Sequence, residues 1–110
     1  MAIHHASSGE SIDIRPLNDK LKTTPTTALF KFSHLEVSRT VLCAGKDVPP
    51  HDVVGEMTVQ CLEGWVELTA AGTTQSMRAG DLTCLAGGET HSLKAIADSS
   101  VLITMLLHGA

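Results

Sequence analysis

The sequence contains almost no aromatic residues: Phe30, Phe32 and Trp65 are the complete set among 110 residues, and tyrosine is absent. Because 43% of the residues are nevertheless hydrophobic, a core must be built from Val, Leu, Ile, Ala and Met. A chain of this length buries roughly two thirds of the surface that its unfolded form exposes. We therefore expect one folded domain and no second one.

Runs of basic residues and long apolar segments are also missing. The eight Lys and Arg residues are scattered among twelve Asp and Glu, for a net charge of −4, so no row of phosphates could be neutralised and nucleic-acid binding is not expected. No apolar stretch is long enough to cross a bilayer, and polar residues such as His4 and His5 interrupt the first one. We expect no membrane contact, no signal peptide and a cytoplasmic location.

Cysteine is scarce, and the spacing of the cysteines matches no metal-binding pattern. Cys43, Cys61 and Cys84 are an odd number without any CxxC pair, so a disulfide framework is not expected. Free cysteine is among the most frequently buried residue types. The three are predicted to be small buried hydrophobic residues, and a thiol lining a pocket is the alternative.

What the chain does contain is a series of short apolar and β-branched segments separated by turn residues. This pattern predicts an all-β, single-domain antiparallel β-barrel or sandwich. Residues 1–27 are predicted to form an N-terminal arm and loop, with a short strand at 12–17, and residues 28–110 the barrel. The predicted barrel strands are 28–32, 35–43, 57–62, 65–70, 74–78, 82–85, 91–96 and 101–107. The near-continuous apolar run of the last one predicts a strand covered on both faces.

Two segments in this series share a regular spacing of Gly and His. Gly45 is followed by five residues and His51, and the segment ends at Gly64; the second segment runs from Gly80 to His91 and on to Ala95. Together they resemble the two signature motifs of the cupin superfamily, in the correct order and separated by a hairpin. The resemblance implies a small single-domain, RmlC-like cupin, whose fold is a double-stranded β-helix or jelly roll. Gly64 lies between two strands, where a positive φ is expected.

The resemblance also implies a site, but with half of its usual ligands replaced. In metal-binding cupins, two His and a Glu of the first motif and the His of the second bind one divalent cation. Here His51 and His91 match the first and last positions, whereas Val53 and Met57 occupy the other two. A divalent metal held by His51 and His91 is therefore a possible cofactor only if other ligands complete the site.

Strand alternation indicates which side chains face the barrel interior. With Met57, Val59 and Cys61 inward, Glu56 faces the other way and is only a reserve ligand. The predicted ligand pocket is lined by His51, Val53, Met57, Val59, Cys61, His91 and Leu93. The remaining histidines are expected in solvent; these are His4, His5, His34 and His108.

These residues support different function classes. The first is a module that binds a small, largely apolar ligand in the barrel, with imidazoles as polar anchors. The alternative is a metal-dependent enzyme of the dioxygenase or isomerase type that uses His51 and His91. A third function class is a structural or interaction domain whose interior is filled by its own side chains. A nucleophilic Cys61 with His91 as its base is not favoured, because the sequence supplies no third group to orient the base. Whether the protein is an enzyme, and which residues would be catalytic, stays open.

The N-terminal arm also bears on the oligomeric state of the protein. Its apolar residues at 12–17 could pair as a strand but cannot close a hairpin of their own, and an open barrel edge needs covering. We therefore predict a homodimer in which the arm pairs across a two-fold axis.

Overall fold

A computed structural model describes residues 5–51 and 53–107, which form nine β-strands preceded by one 3-10 helix. The helix spans Asn18–Thr23. The strands are β1 (Thr27–Lys31), β2 (Leu35–Leu42), β3 (Asp47–His51), β4 (Met57–Glu63), β5 (Trp65–Ala70), β6 (Thr73–Arg78), β7 (Leu82–Leu85), β8 (His91–Ala95) and β9 (Ser99–Leu106).

The strands form two antiparallel sheets. The five-stranded sheet has the order β1-β2-β9-β4-β7, and the four-stranded sheet has the order β3-β8-β5-β6. Every strand pair is antiparallel, and the chain passes from one sheet to the other at several connections, one of which is the turn that joins β4 to β5. The predicted all-β antiparallel jelly roll is confirmed, although hydrogen bonding does not continue around it as one closed sheet.

The core lies between the inner faces of the two sheets and consists of aliphatic and sulfur-containing side chains. In β4, Met57, Val59 and Cys61 are buried, whereas Thr58 and Gln60 on the opposite face are half-buried. The predicted alternation of this strand is therefore confirmed. The buried cluster comprises Leu42, Met57, Val59, Cys61, Val66, Leu68, Met77, Leu85, Leu93, Ala95 and Val101.

The turn between β4 and β5 depends on glycine. Gly64 has φ +90°, as the sequence predicts, and an added Cβ would collide with the Asp98 carbonyl oxygen and the Ser99 side chain. Only glycine combines this backbone conformation with so close an approach. The turn thereby takes the chain from β4 in the five-stranded sheet to β5 in the four-stranded sheet.

The N-terminal arm is the main departure from the predicted structure. Residues 12–17 form no strand; their backbone is instead held by two side chains of the five-stranded sheet. Arg39 Nη2 donates to the carbonyl oxygens of Asp13 and Arg15 at 3.4 and 3.2 Å. The Glu63 carboxylate accepts from the Leu17 and Asn18 amides at 2.8 and 3.0 Å. Side-chain partners thus replace the strand partner that the prediction assumed, and the 3-10 helix replaces part of the loop predicted after residue 17.

A second departure is β3, which the sequence did not predict as a strand. Its Pro49 and Pro50 exclude a helix and cannot donate to a sheet. They are tolerated because β3 is an edge strand that pairs only with β8.

Two of the three cysteines are not buried, which corrects the expectation for them. Cys61 is fully buried, but Cys43 follows the end of β2 and Cys84 points outward from β7, so both are exposed. His5 and His34 are exposed as expected, whereas His4 and His108 lie outside the described residues. Within residues 5–51 and 53–107, no helix is long and apolar enough to cross a membrane.

Candidate functional site

His51 and His91 lie side by side at one end of the four-stranded sheet. The two residues are direct partners in the β3–β8 ladder, and their ring centroids are 4.3 Å apart with an interplanar angle of 57°. His91 is only 2% exposed, whereas His51 is open to solvent. The structure therefore brings together the two histidines that the sequence motifs selected.

Both rings are oriented by the same backbone arrangement. The Nδ1 atom of His51 lies 3.0 Å from the Pro49 carbonyl oxygen, and the Nδ1 atom of His91 lies 3.0 Å from the Glu89 carbonyl oxygen. A carbonyl oxygen only accepts, so each bond requires a proton on Nδ1. In the neutral ring, Nε2 then carries the free lone pair. The pair thus presents two Nε2 acceptors next to each other.

A small pocket adjoins the histidine pair. Residues opposite one another across the four-stranded sheet form the row His51, His91, Ala70 and Thr73. Ala70 and Thr73 also line a pocket of about 190 Å³ between the edges of β6 and β7. A shallower pocket of about 300 Å³ at the rim includes His91 and shares Ala70, Ala71 and Glu89 with the first. The site therefore combines two imidazoles with a recess beside them.

Most other residues of the predicted pocket belong to the packed core. Val59 and Cys61 have no exposed surface, and Met57 and Leu93 are also buried in the same cluster. Val53 is half-buried and packs against that cluster. A molecule that enters from solvent would reach Val59 or Cys61 only by displacing core side chains.

Cys61 does not have the environment of a reactive thiol. Burial raises the pKa of Cys61, and this outweighs the bond to the Glu63 carbonyl oxygen, which lowers it. A raised pKa keeps the sulfur protonated, whereas the thiolate is the nucleophilic form.

The residues around the histidines do not make a metal centre of the usual kind. Among the described residues, no group of three or more His, Cys, Asp and Glu side chains could hold a metal ion. Glu56, the reserve ligand, is exposed and lines a groove on the outer face of the five-stranded sheet. Since zinc and non-haem iron sites use three or four protein ligands, this donor set does not fit one.

Sequence reasoning missed the polar part of the pocket. The pocket of about 190 Å³ is lined by Leu68, Ala70, Ala71, Thr73, Gln75, Thr83, Cys84, Leu85, Ala86 and Glu89. Gln75 pairs with Leu68, and Thr83 pairs with Val59, so both polar residues lie on inner faces. The alternation of β6 could have indicated Gln75, but Glu89 lies in a loop whose path only the fold determines.

Comparison with known structures identifies the fold. A conserved protein of unknown function from Streptococcus pyogenes superposes with a TM-score of 0.76 at 19% identity, over 100% of this chain and 98% of that one. A cupin superfamily protein from Desulfitobacterium hafniense gives 0.77 at 14% identity, over 97% and 99%. A predicted oxalate decarboxylase from Thermotoga maritima gives 0.68 at 23% identity, over 74% and 78%. No family model and no curated protein sequence matches the chain.

These structural similarities show which fold the chain has. The chain is a two-sheet antiparallel jelly roll of nine strands over the described residues. It is a small cupin-fold protein, and the two histidines that its resemblance to the cupin motifs selected are in contact with each other.

Proposed function

We propose that this protein is a binding module that holds a small, largely apolar ligand at the end of the barrel beside His51 and His91. The observation that carries the proposal is the histidine pair, whose two Nε2 lone pairs are directed by matching Nδ1 bonds to backbone carbonyls. A ligand with one or two N–H or O–H donors would bond to these acceptors. Its apolar body would lie against Ala70 and the adjoining pocket.

The pocket supports a small ligand. The inner pocket of about 190 Å³ and the rim pocket of about 300 Å³ together are near the lower end of ordinary small-molecule sites. Polar groups line much of the inner pocket, and the rim pocket beside His91 is mainly apolar; the polar residues of the inner pocket are Thr73, Gln75, Thr83 and Glu89. Such a lining fixes the orientation of a ligand while leaving most of its contacts apolar.

The proposal is tested by identifying the tautomers and then the ligand. Long-range nitrogen–proton NMR spectra should show the Nδ1–H form for His51 and His91. Native mass spectrometry of freshly purified, untagged protein should show a co-purifying small molecule that is lost in His91→Ala. The matched control is His34→Ala, which changes an exposed histidine in the connection between β1 and β2 of the other sheet. A protein free of any small molecule, with Nε2–H tautomers, would contradict the proposal and favour a structural or interaction domain.

A metal-dependent enzyme of the dioxygenase or isomerase type is the second candidate. The adjacent Nε2 lone pairs favour it, because neutral imidazole nitrogen is a common metal ligand. Two imidazoles alone are too few for a stable centre, so the natural protein should bind Zn²⁺, Ni²⁺ and Mn²⁺ weakly in isothermal titration. The double variant Val53→His with Met57→Glu should bind stoichiometrically. One metal per chain in the natural protein, lost in His91→Ala, would instead favour the enzyme.

A further inference from the structure

Glu89 is a half-buried acidic residue at the edge of the candidate site. Its backbone carbonyl oxygen accepts the bond from His91 Nδ1, and the residue lines both the inner pocket and the rim pocket. Its side-chain carboxylate accepts no hydrogen bond and forms no ion pair within residues 5–51 and 53–107. A partly buried carboxylate has lost some of its contact with water, so a positively charged group beside it would be stabilising.

Other half-buried carboxylates of this chain have partners of their own. Glu63 accepts from three groups, among them the Leu17 amide at 2.8 Å. Asp98 accepts from the Ala44 amide, also at 2.8 Å. Glu89 differs from both, so a group that pairs with its carboxylate has to come from outside the described part of the chain.

The charge around the two pockets is of one sign. Glu89 is the one acidic residue among the described residues that line them, and no Lys or Arg is in either lining. The whole chain also carries a net charge of −4. An anionic ligand would therefore find no cation to pair with, whereas a cationic ligand would be attracted.

The hydrogen-bonding groups near Glu89 favour the same kind of ligand. His51 and His91 present Nε2 lone pairs, which only accept in the neutral ring. Thr73 and Gln75 can donate as well as accept, so they fit ligands of either kind. The groups that discriminate are the carboxylate and the two imidazole nitrogens. They select polar groups that donate, and a primary ammonium carries three donors and no acceptor.

A bare metal ion does not match this arrangement. Within the residues that the structure describes, no three His, Cys, Asp or Glu side chains could hold one ion, so Glu89, His51 and His91 do not converge on a single point. A molecule can place separate donors at positions that one ion cannot reach together. The acceptors therefore fit an organic cation with a body between its donors.

We propose that the ligand of this site is a small aliphatic amine, bound through its ammonium group to Glu89 and through a second N–H or O–H donor to the histidine pair. This inference rests on the proposed function of the same site and names its ligand class. The aliphatic body lies against Ala70 and Ala71, which line both pockets.

The test compares probes that share one hydroxyl group and the same short carbon chain. They are aminobutanol, which is a cation, butanediol, which is neutral, and hydroxybutyrate, which is an anion. Titration at about pH 8 keeps free imidazole neutral and a primary amine charged. Amide shifts of Ala70, Ala71 and Glu89 in nitrogen–proton NMR spectra report binding to the full-length chain. Aminobutanol should bind about tenfold more tightly than butanediol, because a charge-assisted hydrogen bond is the stronger one, and hydroxybutyrate should bind most weakly.

Glu89→Gln separates the charge of the side chain from its size. The affinity for aminobutanol should fall about tenfold, to that for butanediol, while the affinity for butanediol stays unchanged. Glu67→Gln is the matched control. Glu67 is also half-buried, but it lies on the outer face of the sheet opposite Lys94 and lines neither pocket. This variant should keep the preference for aminobutanol.

The possible failures point to different errors. Equal affinities for aminobutanol and butanediol, unchanged in Glu89→Gln, would overturn the amine as ligand and leave a binding site beside the histidines in place. A preference for hydroxybutyrate would overturn it too and indicate an anionic ligand. If none of the probes shifted these amides, both the amine and the proposed binding function would be contradicted.

Discussion

The outer faces of the two sheets differ in chemistry although they enclose the same core. The four-stranded sheet presents the outward row Asp47, Lys94, Glu67 and Ser76. At the end of this sheet Trp65 donates from Nε1 to Ser76 Oγ at 2.7 Å and stacks under Arg78 at 4.0 Å. The five-stranded sheet presents the outward row Val37, Thr104, Thr58 and Cys84 instead.

The difference shows that strands with the same alternation of inward and outward residues can present outer faces of different polarity. On the four-stranded sheet, polar residues at every second position keep one face in water, as is common for antiparallel sheets. On the part of the five-stranded sheet that the arm leaves uncovered, valine, leucine, threonine and cysteine take many of those positions. A face of this composition costs more free energy in water than a polar face does.

The largest effect should come from the shared core rather than from either outer face. Leu68→Ala, at an inward position of β5 that is 2% exposed, should lower the free energy of unfolding by about 2–5 kcal/mol because it removes buried contacts and leaves a cavity. Glu67→Ala, one residue away on the polar outer face, should change it by about 0.5 kcal/mol or less. Urea denaturation measures both. Equal effects would mean that the inner and outer faces of β5 have been assigned incorrectly.

The turn between the sheets should show the next largest effect. Gly64→Val should destabilise the protein by roughly 1–3 kcal/mol through its positive φ, and the contacts with Asp98 and Ser99 add to this. Gly72→Val is the control, because Gly72 has φ +76° but nothing within 4 Å of an added Cβ. The melting temperature of Gly64→Val should therefore be the lower of the two. The reverse order would contradict the close packing of this turn.

The smallest effect concerns the end of the five-stranded sheet that the arm covers. Burial raises the pKa of Glu63, but the bonds from Leu17, Ser100 and Asn18 outweigh it and leave the pKa below its usual value. A carboxyl whose pKa is lowered by folding stabilises the protein above its unfolded pKa of about 4.5, and this is lost as pH falls through the folded value.

Melting temperatures measured from about pH 7 down to about pH 3 should therefore fall less steeply in Glu63→Gln than in the natural protein. At neutral pH the variant should lose about 1 kcal/mol, the scale of one hydrogen bond. Proteolysis within residues 12–18 should increase in the variant. Identical acid profiles for the two proteins would show that Glu63 does not hold the arm.

The fold was predictable from sequence because its signals are local. Period-two alternation in β4 and the turn glycine at position 64 each depend on a few neighbouring residues, and the structure agrees with both. β3 was missed because its two prolines oppose sheet pairing, and only its place at an edge permits them. The arm was assigned a strand because its apolar residues alternate, whereas the Arg39 and Glu63 partners that hold it lie far along the chain.

The candidate site was predictable only in part. The cupin motifs selected His51 and His91, and these rings are in contact. Glu89 and Gln75 were not selected, because no local pattern shows that a loop and an edge strand line the same pocket.

By itself, the sequence determined an all-β fold and the inward set of β4, and its resemblance to the cupin motifs selected two histidines with too few further ligands for an ordinary metal centre. These follow from residue type and spacing, which act over short distances. The tertiary structure alone decided which outward residues the arm covers, which lie bare beside Leu106, and which nitrogen of each histidine is free. Those properties depend on contacts between residues that are distant in the chain, and on backbone carbonyls whose direction is set only when the strands pair.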